Sequence, residues 1–201
     1  MRPNCKKHMQ DFTNYISQSV DSKRDIDTLR DELQWCVDRH AETNHKYDGY
    51  LPYEFHLRMV ARVCDRFIHL VERDHGLRAR KDVLRAAWGH DLIEDARVSY
   101  NDVRKVLGEP PAEIIYALTN DKGRTRSERA GDRYYEGIRS TPHATFVKLC
   151  DRIANVEYSS MTGSTMLSVY RSENGRFTAA LGASPDSPYG EMFDHLAGLL
   201  A

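Results

Sequence analysis

The chain has 201 residues, in which 29 Lys and Arg stand against 30 Asp and Glu for a net charge of −1. That length suits one ordinary domain with a full hydrophobic core. The near-neutral balance excludes a chain-wide basic surface for nucleic acid or membrane headgroups, so any basic site must be local.

The four cysteines, Cys5, Cys36, Cys64 and Cys150, contain no C-x-x-C pair, which argues against a zinc ribbon or a disulfide framework and suits a reducing compartment. The N-terminal MRPNCKKHMQDFTNYIS lacks an apolar signal core. No window approaches the roughly 18 apolar residues of a membrane span. A soluble, cytoplasmic protein is the expectation.

In chain order the signals are helical almost throughout. Ser22 to about His45 carries Ile26, Leu29, Leu33 and Val37 at spacings of three and four, an amphipathic helix. A turn follows in KYDGYLP. Tyr53 to about Asp74 reads as a second helix with Val60, Val63, Cys64, Phe67 and Val71 on its apolar face, stopped at His75 and Gly76. A third is expected from about Asp82 continuously through VLRAAWGHDLIED. Ser99 with Asp102 resembles a capping box opening a short helix that Gly108 closes. PPAEIIYALTN, RSERAGDRYYEGI and HATFVKLCDRIANVEYSS supply three more, and one or two weaker helices fall between about Thr165 and Leu200. GASPDSP is the expected late loop. The predicted fold class is all-α, a single bundle-like domain over residues 1–201.

The stretch WGHDLIED interrupts an apolar run with four ionisable groups, His90, Asp91, Glu94 and Asp95. On one helix at about 100° per residue, Asp91, Glu94 and Asp95 lie about 100°, 40° and 140° from His90, so all four leave from one face. A solvated helix end is the plain alternative, but VLRAAW and Leu92-Ile93 are too apolar for it. An adjacent His and Asp offer a nitrogen and an oxygen to a divalent metal, and a carboxylate one turn on could orient water.

Further ligands must come from other apolar faces. His56 sits in the stripe of Val60, Val63, Phe67 and Leu70, where it is either a satisfied core histidine or a ligand. Asp151 stands at the edge of the arc formed by Phe146, Val147, Leu149, Cys150 and Ile153, with Asn155 one turn on; buried there, it needs a metal or a cation such as Lys148 or Arg152. Lys122, Arg124, Arg126 and Arg129 form a local basic cluster, either a solvated face balanced by Asp121, Glu128 and Asp132 or a phosphate site to which Lys148 and Arg171 could add.

The series His56, His90-Asp91 and Asp151 resembles the H…HD…D signature of the HD phosphohydrolase superfamily. HDLIED is similar to the HDxxED variant of RelA/SpoT-homologue hydrolase domains and stand-alone small alarmone hydrolases. KYDGYLPYEFH, ALTNDKGRTRSER and FVKLCDRIANV resemble further segments of that family in the same order, so the likeness spans about residues 40–160, between an N-terminal extension (1–21) and C-terminal helices (161–201). The resemblance implies that His56, His90, Asp91 and Asp151 ligate one divalent cation, in that family usually manganese. Glu94 and Asp95 match its acidic pair that positions and deprotonates the attacking water. Asn155 matches a sugar contact, Lys46 a basic residue beside the nucleotide, and Lys122 the lysine of the family's threonine–Asp–Lys–Glu-Arg segment. Where the family shows Arg-Lys before the glycine turn, this chain has His45-Lys46, which alters the base-facing contact.

The expected activity is metal-dependent removal of the 3′-pyrophosphate from ppGpp, pppGpp or a related nucleotide by a chain too short for synthetase and regulatory domains. The alternatives are an orthophosphate-releasing phosphatase of nucleotides or NADPH, and a non-catalytic nucleotide sensor. The partner is a small-molecule nucleotide, with no nucleic acid or membrane, and the sequence assigns no oligomeric state.

Overall fold

A computed structural model describes residues 23–120, 128 and 130–201. Helix α1 (Lys23–Glu42) is followed by a hairpin of two short antiparallel strands, β1 (Lys46–Tyr47) and β2 (Leu51–Pro52), paired Lys46 with Pro52 and Tyr47 with Leu51. Asp48 and Gly49 in its turn take φ of 52° and 76°. That left-handed geometry is one Asp tolerates and Gly adopts without steric cost.

The bundle continues with α2 (Glu54–Phe67), α3 (His69–Gly89), the single turn α4 (Leu92–Asp95), α5 (Tyr100–Leu107) and α6 (Glu109–Leu118). It is completed by α7 (Asp132–Ser140), α8 (Ala144–Thr162), α9 (Met166–Ala180) and α10 (Gly190–Leu200). The all-α expectation holds, the hairpin being the sole sheet among the described residues.

Helix α8 is the axis of the bundle. Phe146, Val147, Leu149, Cys150, Ile153, Ala154 and Val156 are fully buried along it, and it packs against α2, α3, α6, α7, α9 and α10. Helices α2 and α3, joined through Ile68, pack on each other and on α8. One continuous cluster of buried residues runs from Leu29 to Leu200. Cys36, Cys64 and Cys150 are buried free thiols, as the spacing predicts. No helix among the described residues is long and apolar enough to cross a membrane.

Two predicted helices differ in extent. The one expected from Tyr53 to about Asp74 is divided at Ile68 into α2 and α3. Gly76 breaks the helical run of α3 where a stop is expected, with φ 70° and ψ −170° between two helical stretches. The helix expected to continue through HDLIED ends instead at Gly89. His90 keeps helical angles, Asp91 opens to φ −105° and ψ 4°, and a new turn starts at Leu92. A Cβ on Gly89 would meet Ile115 Cδ1 at 2.6 Å and Leu107 Cδ1 at 3.0 Å, so α3 approaches α5 and α6 closely only where there is no side chain. The Ser99–Asp102 capping box is present, with Asp102 N donating to Ser99 Oγ at 3.2 Å and Ser99 N to Asp102 Oδ2 at 3.1 Å. Gly108 closes α5 at φ 94°.

Gly89→Ala is therefore expected to destabilise the fold. Overpacking against the fully buried Ile115 costs about 1–3 kcal/mol, which outweighs the ~0.5–1 kcal/mol that alanine gains over glycine in a helix. Denaturant unfolding should show a lowered midpoint with unchanged slope.

Candidate metal and nucleotide site

The end of α3, the middle of α8 and the first turn of α2 meet at one point. His56 Nε2 from α2 lies 3.2 Å from His90 Nε2 and 3.3 Å from Asp151 Oδ1 of α8. His90 Nε2 is 2.8 Å from Asp91 Oδ2 and 3.8 Å from Asp151 Oδ1, and Asp91 Oδ2 is 3.9 Å from His56 Nε2. His56, His90 and Asp151 each bring one donor atom within 4.8 Å of the others.

These spacings suit a divalent cation. With bonds near 2.1 Å, neighbouring ligand atoms sit about 3 Å apart. The nitrogen–oxygen donor set suits a transition metal. His90 Nδ1 donates to Ala87 O at 2.9 Å, which leaves the Nε2 lone pair facing the cluster. His56 Nδ1 is buried with no hydrogen-bond partner among the described residues.

Each group is backed by a neighbour. The Tyr53 hydroxyl donates to Asp91 Oδ2. Asn155 Nδ2 donates to Asp151 Oδ1 at 2.6 Å, and Tyr47 OH donates to Asn155 Oδ1 at 2.8 Å. Lys148 Nζ lies 3.3 Å from Asp151 Oδ2. The Tyr47 ring stacks on His56 with centroids 4.8 Å apart.

Electrostatics follow from this packing. Burial works against a charge on His90, but Asp91 beside it lifts its pKa to about 9. Burial raises the Asp91 carboxyl, and His90 outweighs it, holding the group below the usual carboxylate range. For Asp151 burial is likewise outweighed, there chiefly by Lys148. Burial opposes the Lys148 charge too, yet Tyr134, Asp151 and Asp91 push its pKa above the ordinary lysine value.

The cluster opens into a cavity of about 710 Å³ that Glu94, Asn120, Tyr134, Lys148, Asn155 and Arg176 help to line. Glu94 is held by Asn120, whose Nδ2 donates to both carboxylate oxygens at 2.9 and 3.1 Å. Asp95 does not line this cavity. The break at Asp91 turns it towards α1, and its Oδ2 lies 3.9 Å from His45 Nε2. A single face shared by all four acidic and imidazole groups, expected from a continuous helix, is thus replaced by a divergence of Glu94 from Asp95.

Other expected contacts are distributed unevenly. Lys148 and Asn155 line the cavity. His45 does not: its Nδ1 pairs with His40 Nδ1 at 3.0 Å and its ring stacks on Tyr53 at 3.8 Å. Lys46 is exposed beside Tyr47, which does line it. Arg171 is directed elsewhere, donating from Nε to Leu200 O at 2.9 Å and from Nη2 to Ala201 O at 3.1 Å. Lys122, Arg124, Arg126 and Arg129 lie outside the described residues.

Several contributors are given no role by the sequence. Tyr53 falls within KYDGYLPYEFH, which the family likeness covers, but its support of Asp91 is not legible there. His40 is fully buried, and burial lowers its pKa to about 3, so it is neutral. Its one signal is position, on the α1 stripe of Leu29, Leu33 and Cys36. Arg152 and the α9 residues Tyr170, Glu173 and Phe177 form the far wall, which no periodicity marks as a site.

No protein-family model matches the chain. Guanosine-3′,5′-bis(diphosphate) 3′-pyrophosphohydrolase MESH1 of Drosophila melanogaster is 27% identical over 124 residues, 62% of this chain and 65% of that protein, so the match spans just under two thirds of its length. The Danio rerio protein of the same name is 26% identical over 128 residues, 64% of this chain and 67% of that protein. The human one is 25% identical over the same shares. A solved structure described as a metazoan orthologue of SpoT that hydrolyses ppGpp superposes with a TM-score of 0.63 at 23% identity, covering 90% of this chain and 99% of that one. The chain therefore resembles the metazoan HD-domain 3′-pyrophosphohydrolases in sequence and has their helical fold.

Proposed function

We propose that this protein is a divalent-cation-dependent hydrolase that releases pyrophosphate from the 3′ position of ppGpp, pppGpp or a closely related nucleotide. The observation that carries this reading is the convergence of His56, His90, Asp91 and Asp151, with His56, Asp91 and Asp151 lining a cavity that Glu94 and Lys148 also line. The relatives' names supply the substrate class. One domain, whose core runs from Leu29 to Leu200, carries the whole site.

In this reading the two imidazoles and two carboxylates hold one cation, manganese by likeness to the family. A cation held there would lower the pKa of water and neutralise charge on the phosphoryl group. Glu94 is the general base, because it faces the cavity and Asn120 holds its carboxylate still. Asp95 is a positioning group at the α4–α1 contact. Lys148 takes a phosphate oxygen; its surroundings keep it charged. Asn155 serves the sugar while fixing Asp151, and Lys46 contributes charge beside the bound nucleotide.

Purified protein with manganese should release pyrophosphate from ppGpp and pppGpp, lose that activity on chelation, and recover it when manganese is restored. Asp91→Ala should abolish it; turnover that survives the substitution would sink the mechanism. Orthophosphate in place of pyrophosphate, or equal turnover of NADPH, would make the protein a phosphatase instead.

The acidic pair should separate kinetically. Glu94→Gln is expected to lower kcat by about 10²–10⁴, and Asp95→Asn by far less; the reverse order would reassign the base. Tyr53→Phe removes the hydroxyl that orients Asp91. It should weaken manganese binding by about 10–100-fold in calorimetric titration, as loss of such a supporting group does at other metal sites.

A further inference from the structure

Position 45 carries an imidazole where the family resemblance implies an arginine, and that ring does not line the cavity. Past the end of α1 the chain turns at Thr43 and Asn44. Thr43 Oγ1 and His45 N both donate to His40 O at 3.0 Å, and Asn44 takes φ 53°, a left-handed angle that asparagine tolerates. The turn lays the His45 ring beside the fully buried His40 ring, Nδ1 to Nδ1 at 3.0 Å. We propose that His45, held in one tautomer by His40, is a positioning residue for the cation cluster and not a contact to the nucleobase. This rests on the cation-dependent hydrolase reading and gives that site a support reaching back to α1.

Two neutral imidazoles that meet Nδ1 to Nδ1 share one proton there, so one ring donates and the other accepts. His40 decides which. Burial keeps it neutral, and its Nε2 is buried with no hydrogen-bond partner among the described residues. A proton on that Nε2 would be a buried N–H with nothing to accept it, so the proton belongs on Nδ1 and is donated to His45. His45, whose pKa burial also lowers, then carries its own proton on Nε2, the atom that lies 3.9 Å from Asp95 Oδ2.

With that edge fixed, the His45 ring lies nearly parallel to Tyr53, at 19° and 3.8 Å between centroids, and His40 packs on the same tyrosine at 4.4 Å. The Tyr53 ring meets His56 edge-on at 5.3 Å, and its hydroxyl donates to Asp91 Oδ2. Tyr53 therefore links the histidine pair to two groups of the cluster. A flat ring packed on the phenol limits how it can turn, and the direction of its hydroxyl orients the Asp91 carboxylate.

The test uses the full chain and reads manganese binding by calorimetric titration. His45→Ala, at a part-exposed position, should weaken binding about tenfold, the low end of what loss of a supporting group costs at metal sites. His45→Phe keeps a flat ring over Tyr53 and should restore most of that affinity. It should also lower the unfolding midpoint, because the His40 Nδ1–H is left buried and unpaired. In turnover, the ratio of KM values for the guanosine and adenosine 3′,5′-bis(diphosphates) should be the same in His45→Ala as in the unmodified protein. Unchanged manganese affinity in His45→Ala, or a shifted ratio of the two KM values, would overturn the proposal and return position 45 to the nucleobase.

Nitrogen NMR of the unmodified protein decides the pairing without metal or turnover. Correlations from ring protons to ring nitrogens should show His40 protonated at Nδ1 and His45 at Nε2, the His45 signals being those lost in His45→Phe. The opposite tautomers would remove His40 from the arrangement. If the unmodified protein binds no manganese, the hydrolase reading fails, and the tautomers still decide whether His40 holds His45 over Tyr53.

Discussion

Everything about this site depends on packing two imidazoles, each within 3.9 Å of both carboxylates, at the junction of α2, α3 and α8. Burying such groups is expensive unless opposite charges and hydrogen bonds compensate. Here each has a dedicated support: Ala87 O for His90, Tyr53 for Asp91, Asn155 and Lys148 for Asp151, and the Tyr47 ring for His56. The supports come from the β1–β2 hairpin, α2, α3 and α8. The hairpin, small as it is, is therefore part of the site and not merely a connector.

The second constraint is the break after Gly89. Had α3 continued, the carboxylates of Glu94 and Asp95 would have shared the arc of His90 and Asp91. The break separates them, sending Glu94 into the cavity and Asp95 towards the His40–His45–Tyr53 stack. Gly89, one turn before Leu92, lets α3 lie close against Ile115 and Leu107 just ahead of that break. The same geometry accounts for His45. Its ring covers Tyr53, and Tyr53 holds Asp91, so the departure from the Arg-Lys pattern lies in the packing that backs the cluster.

Charge on α8 is divided between the cation cluster and the contact with α9. Lys148, Asp151 and Asn155 face the floor, while Arg152 is turned into the α9 wall. The neutral overall charge of the chain conceals this arrangement, because Glu173 and the two floor carboxylates offset the cations beside them.

The amino-acid sequence by itself determined the helical class, most element identities and the groups able to gather at the floor. Apolar spacing specifies which face of each helix is buried, and ionisable residues on such faces announce themselves by their cost. His56, His90, Asp91 and Asp151 were legible for that reason. Only the tertiary structure decided that the HDLIED helix breaks, at Asp91, since no glycine or proline inside HDLIED marks the place. It likewise decided that Glu94 and not Asp95 lines the cavity, that Arg171 turns to the C-terminus, and that Arg152 lies between two aromatic rings. Local periodicity fixes the direction of a side chain relative to its own helix. What that side chain meets is set by how helices separated in sequence pack together.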